Sequence, residues 1–166
     1  TIRRWRRLVT ATTTAVLTAS ALTFVTSPAG AAPELLSQGR PVTASSTENG
    51  GTPASAAVDG NTGTRWSSAF ADPQWLQVDL GSTQQVCRVA LTWEAAYGRA
   101  FQVQLSDNAS TWNTVYSTTT GTGGAQTLTV TGSGRYLRVY GTARATGYGY
   151  SLWELAVNTE TTGGVV

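Results

Sequence analysis

Glu48 and Glu94 are the one pair of carboxylates here that suggests work on a glycosidic bond, since glycoside hydrolysis needs two carboxyl groups roughly 5 to 10 Å apart across a cleft. One of the two must also be kept protonated, which takes a water-poor cleft or a like charge beside it. The chain has no histidine, so there is no Ser-His-Asp set and nothing to activate Cys87, the single cysteine. No zinc motif or phosphate-cradling loop occurs either. Cation chemistry is better served: Asp59-Gly60-Asn61-Thr62-Gly63-Thr64 brings a carboxylate, a hydroxyl and several backbone carbonyls into a glycine-containing turn. Ca²⁺ takes about six to eight such oxygens with flexible geometry. An EF-hand is excluded, because its sharp-turn glycine would fall at Thr64 and its bidentate glutamate at Phe70. The plainer alternative is that Asp59-Gly60 is only a turn.

The elements that must position these residues read as strands. From Glu34 onward, short alternating apolar runs recur between clusters of Gly, Ser, Thr and Asn, and no long stretch has helical periodicity. Strands are expected over residues 75–80, 86–93, 101–105, 114–116, 126–130, 135–140 and 153–157. Leu76, Val78 and Leu80 share one face, as do Phe101, Val103 and Leu105, and Leu137 and Val139. One buried and one wet face per strand implies an all-β, antiparallel two-sheet sandwich. Composition leaves a jelly roll and an immunoglobulin-like sandwich open. Trp66, Trp75, Trp93 and Trp153, in or beside strands, are expected in the core, Trp112 fits either core or surface, and Cys87 reads as a small buried hydrophobe.

The ends read differently from the middle. Arg3, Arg4, Arg6 and Arg7 precede an uncharged run over residues 8–25, then Pro28 and small residues up to Ala32, the order of a secretory signal peptide spanning residues 1–32. A Sec and a twin-arginine route both remain open, and the several threonines in the run argue against a membrane-anchoring helix. Without those four arginines, seven arginines face nine acidic residues, a net charge of −2. A nucleic-acid partner then has no electrostatic motive, and with lysine absent a membrane partner has little. Residues 159–166 open a Thr/Gly-rich linker, so the chain reads as residues 33–158 of folded, exported domain leading into a missing downstream domain.

Three ordered segments carry a family likeness: Ala56-Ala57-Val58-Asp59-Gly60-Asn61-Thr62-Gly63-Thr64-Arg65-Trp66, then Pro73-Gln74-Trp75-Leu76-Gln77-Val78-Asp79-Leu80-Gly81, then Tyr150-Ser151-Leu152-Trp153-Glu154-Leu155. Together they resemble the discoidin, or coagulation factor 5/8 type C, superfamily, and within it carbohydrate-binding module family 32. The resemblance implies a jelly-roll β-sandwich of the galactose-binding-domain type over residues 34–158. The stretches Leu91-Thr92-Trp93-Glu94-Ala95-Ala96-Tyr97 and Arg144-Ala145-Thr146-Gly147-Tyr148-Gly149-Tyr150-Ser151 look most like modules attached to bacterial chitosanases and β-glucanases. By the same resemblance a structural Ca²⁺ would be held by the backbone oxygens of Ala56 and Asn61, the side chain of Asp59, the backbone and hydroxyl of Thr64, and Glu154.

The resemblance also implies a ligand rim of four loops carrying Glu48; Arg65, Ser68 and Phe70; Glu94 and Tyr97; and Tyr148. Aromatic faces there would meet the CH groups of a sugar ring, and charged groups its polar substituents. Most galactose-binding members of the family it resembles use a histidine with an arginine and an aromatic, and this chain has no histidine. Two carboxylates beside aromatics suit a polymer bearing ammonium groups, because such hydrogen bonds are charge-assisted. Chitosan or glucosamine oligomers are the first expectation and a neutral β-glucan the second. Alternatives are a galactose-type or other glycan adhesion or structural module, and a lipid-binding discoidin domain. Arg65 could instead serve to hold Asp79 or another carboxylate. A sandwich rim offers no cleft, so the chain is expected to be a non-catalytic, monomeric, secreted module, the N-terminal fragment of a glycoside hydrolase whose catalytic domain is covalently linked.

Overall fold

The computed structural model describes residues 33–159. The segment read as a signal peptide lies outside them, as does the linker beyond Thr159. Eight strands follow in order: β1 Glu34–Leu35, β2 Val42–Ala44, β3 Trp66–Ser67, β4 Gln74–Trp93, β5 Gly98–Ser106, β6 Asn113–Thr118, β7 Ala125–Arg144 and β8 Ser151–Thr159. The helical content among the described residues is one 3₁₀ turn, Ala54–Ala57.

All pairings are antiparallel, in the order β1-β8-β4-β7-β5-β6, with β2 added on β4 and β3 on β8. Two pairs of expected strands are each one long element: residues 75–80 and 86–93 both lie in β4, and 126–130 and 135–140 both lie in β7. β4 and β7 pair along both halves, with a break in register between Asp79 and Gln84. A straight strand of 20 residues would run about 65 Å, far beyond one small core. Yet Leu76, Val78 and Leu80 from the first half of β4 share one core with Val89 and Leu91 from the second. The paired strands therefore bend and serve both layers: β2, β5 and β6 extend one half, and β1, β8 and β3 the other.

The core expected from alternation is present, with Leu76, Val78, Phe101, Val103 and Leu137 fully buried. At roughly 1.5–3 kcal/mol for each large apolar side chain removed from water, these layers hold the fold. Trp66 and Trp93 join them, whereas Trp75 and Trp153 are only half-buried, a correction to the expectation that all four are core. Their places on the outward face explain it: Leu76 and Leu152, the immediate neighbours, take the inward positions. Cys87 is likewise half-buried, at a register shift between Val86 and Arg88, with its thiol against the Asn158 carbonyl at 3.5 Å. β8 continues to Thr159, which pairs with Glu34, so the sheet reaches one residue into the stretch read as linker.

Candidate functional site

Loops at one end of the sandwich are laced around the short β3–β8 pairing. The Glu94 amide donates to the Ser151 carbonyl at 3.0 Å and the Ser151 amide to the Ala96 carbonyl at 2.8 Å. The Glu48 amide donates to the Ser67 carbonyl at 2.7 Å, and the Ala145 amide to that of Tyr97 at 3.0 Å. Residues from four sequence-distant stretches thereby enclose one open cavity of about 320 Å³, with Glu48, Arg65, Glu94 and Tyr148 among its lining. Tyr150 and Ser151 also line it.

The charge there comes from two carboxylates and one guanidinium. Glu94 is oriented by its own turn, with Oε2 accepting from the Ala96 amide at 2.9 Å. Arg65 donates from Nε to the Ser67 hydroxyl at 3.2 Å, and its guanidinium stands 5.4 Å from the Trp153 ring centre. Arg65 does not hold Asp79. That carboxylate takes a two-pronged grip from Arg135, and neither ion pair among the described residues involves Arg65. The half-buried Trp153 is thus a platform for Arg65 at the edge of the cavity.

Two rings extend the rim. Tyr148 is 65% exposed and Phe70 50%, and they meet edge to face with centres 5.7 Å apart. Exposed aromatics of this size in contact are the ordinary means of presenting a face to a sugar ring.

Ser68 and Tyr97 depart from the expected rim. Ser68 is fully buried, its hydroxyl accepting from the Tyr150 amide at 2.8 Å and donating to the Ala69 carbonyl at 2.9 Å. A buried hydroxyl already engaged in this way has no reach to a ligand. The neighbouring Ser67 lines the cavity instead, and its hydroxyl lies 2.8 Å from that of Ser151. Tyr97 turns its ring onto Gly123, where an added Cβ would come within 2.6 Å of it, and packs on the core. Its backbone carbonyl, not its ring, serves the site by anchoring Ala145.

The oxygen-rich loop is a separate structure. Asp59 accepts from the Asn61 amide at 2.8 Å through Oδ1 and from the Thr64 hydroxyl at 2.7 Å through Oδ2. The hydroxyl of Thr64 also lies 2.9 Å from the Asn61 carbonyl. Ala56 sits in the 3₁₀ turn, which packs against β8, the strand that carries Glu154. Burial first, and then the charge of Asp59, raise the Glu154 carboxyl above the usual range, while the Thr64 hydroxyl chiefly lowers that of Asp59. Oε1 of Glu154 is buried without a hydrogen-bond partner. A buried carboxylate oxygen without a donor is costly and is relieved by a cation. Among the described residues no three His, Cys, Asp or Glu side chains cluster. An ion here would meet two carboxylates and otherwise neutral oxygens, a donor set that suits Ca²⁺ and not Zn²⁺.

Residues 41–155 match the F5/8 type C domain family. Chitosan-binding module 1 of a chitosanase/glucanase from Paenibacillus sp. IK-5 is 49% identical, with a TM-score of 0.72 over 75% of this chain and 98% of that one. Module 2 of the same enzyme, solved in complex with chitotriose, is 46% identical, with a TM-score of 0.73 over 75% and 99% of the two chains. The family 32 module of Clostridium perfringens NanJ, in complex with galactose, shares the fold at 24% identity and a TM-score of 0.68, over 77% of this chain and 100% of that one. A polysaccharide lyase 8 family protein, HylA of Enterococcus faecalis, is 32% identical over 71 residues, 43% of this chain. The match spans about 5% of the length of that curated relative.

Proposed function

This chain belongs to the F5/8 type C domain family, and from that premise we propose that it is a non-catalytic carbohydrate-binding module whose first ligand is a glucosamine polymer of the chitosan type. The observation that carries the reading is the meeting of Glu48, Glu94, Arg65 and Tyr148 around one open cavity. An ammonium group of glucosamine would be drawn to the two carboxylates through charge-assisted hydrogen bonds, while Arg65 donates to hydroxyl oxygens and Tyr148 covers an apolar ring face. The similarity to two chitosan-binding modules supports this choice of polymer. A neutral β-glucan is the second reading, favoured by the exposed Phe70 and Tyr148 pair, which needs no charge on its ligand.

The similarity to chitosan-binding modules supports reading Glu48 and Glu94 as binding groups, so the module's contribution to an enzyme is location. Tethering raises the local concentration of a catalytic domain on its polymer without any new contact. On this reading the chain is exported by the segment 1–32, works as a monomer, and is joined to a secreted glycoside hydrolase. A structural Ca²⁺ belongs to the same proposal: Asp59, Glu154, the Thr64 hydroxyl and the carbonyls of Ala56 and Asn61 would hold it. It would tie the loop after the 3₁₀ turn to β8, a cross-link that the lone cysteine cannot supply as a disulfide within the chain.

The test is retardation of the chain in gels containing chitosan oligosaccharide, with Glu94→Ala beside the wild type. Loss of retardation in the variant, with cooperative melting retained and the melting temperature nearly unchanged, supports the site; equal retardation of both moves it elsewhere.

A further inference from the structure

Tyr148 stands in the connection between β7 and β8, a stretch containing Gly147 and Gly149. A loop so built loses more conformational entropy on being fixed than most, and unless it is already ordered that cost falls on the ligand. Its ordering comes from outside the cavity. Arg144, the last residue of β7, donates from Nη1 to the carbonyls of Gly147 at 3.3 Å and Tyr148 at 3.2 Å. Its Nε donates to Oδ2 of Asp72 at 3.2 Å. Asp72 lies in the β3–β4 connection, two residues after Phe70, and its other oxygen accepts from the buried hydroxyl of Tyr150. The Tyr148 amide closes the loop on the Thr146 hydroxyl at 3.2 Å.

We propose that the Asp72–Arg144 pair is a latch that joins the loop of Phe70 to the loop of Tyr148, making Arg144 a positioning residue for the aromatic rim of the site. Neither residue lines the cavity, and Arg144 acts through the backbone of Gly147 and Tyr148. Tyr150 anchors the latch in the core, since its ring is 1% exposed while its hydroxyl reaches Asp72. Burial raises that hydroxyl above the ordinary tyrosine range, which keeps it a donor. The side chains of Arg144 and Asp72 are 22% and 34% exposed, so solvent screens the pair and its effect on global stability is small. Its effect falls on the order of the loop before a ligand arrives.

The inference rests on the carbohydrate reading, and the test separates the two. Arg144→Met keeps most of the side-chain volume and removes the donors. Amide hydrogen exchange over residues 145–149 is expected to quicken in this variant, and the affinity for chitosan oligosaccharide to fall about three- to tenfold, the scale of ordering one loop side chain or two. In a Tyr148→Ala background the same substitution should change affinity by less than about twofold, because the ring it positions is gone. Unchanged exchange, or equal losses in both backgrounds, would overturn the latch while leaving the binding site in place. Failure of the wild-type chain to bind any polysaccharide would overturn the carbohydrate reading and the latch's role in binding with it.

Discussion

Arg135 grips Asp79 with two hydrogen bonds of 2.8 Å, from Nε to Oδ1 and from Nη2 to Oδ2, beside the point where β4 and β7 leave regular register and bend between layers. Oδ1 also accepts from the Gly81 amide at 2.8 Å. The grip of Arg135, aided by that amide, depresses the Asp79 carboxyl to about 2. A depressed carboxylate stabilises the fold above its unfolded value near 3.9, and the contribution is lost as pH falls through the folded value. Asp79→Asn is therefore expected to lower the melting temperature at pH 7, with the two melting curves converging as pH approaches 2. A constant gap between them down to that pH would mean that the side chain acts by shape and not by charge.

Gly149 has no room for a side chain. An added Cβ would lie 2.3 Å from the Ser68 carbonyl oxygen and 2.9 Å from that of Ala69, both backbone atoms that cannot swing aside. Gly149→Ala should cost about 1–3 kcal/mol in stability. It should also weaken oligosaccharide binding, because relief comes by moving the loop that carries Tyr148. Chemical denaturation and a binding isotherm on the same sample check both; wild-type values for each would mean that the loop accommodates the methyl group freely.

For the oxygen-rich loop, addition of Ca²⁺ to metal-stripped wild-type chain is expected to raise the melting temperature in proportion to the logarithm of its concentration. Asp59→Ala should abolish that rise while leaving Glu94 and the cavity in place. A rise that survives the substitution would put the ion elsewhere, and no rise in the wild type would leave Asp59-Gly60 as a turn.

Much of the sandwich is legible because alternation reports which face is buried. Leu76, Val78 and Leu80 are inward as their period demands. The joining of paired strands into β4 and β7 is not legible, since Gly81-Ser82-Thr83-Gln84-Gln85 and Gly132-Ser133-Gly134 look like turns. They are polar because most of them pass the bend in water; Gln84 and Gln85 still pair there, with Gly134 and Ser133, while residues 81–83 fall in the break of register. Of the residues expected on the rim from residue type and loop context, Glu48, Arg65, Glu94 and Tyr148 line one cavity. Ser68 misleads because adjacent serines look alike in sequence, while strand geometry sends one to the cavity and one inward. Tyr97 misleads because its seat on Gly123 is made by a glycine 26 positions away. No sequence signal pairs Arg144 with Asp72, 72 positions apart, and only the folded chain sets them against the Tyr148 loop.

The central claim, that two carboxylates in this cavity bind an amino sugar polymer, is tested most directly by calorimetry of the chain with chitosan oligosaccharide and with laminarin, each at low and moderate salt. The account predicts chitosan binding that weakens as salt rises and as Glu94 is replaced by Ala, because exposed charge pairs are screened over about a Debye length. Binding of laminarin alone, indifferent to salt and to Glu94, would contradict it and shift the site's work to Phe70 and Tyr148.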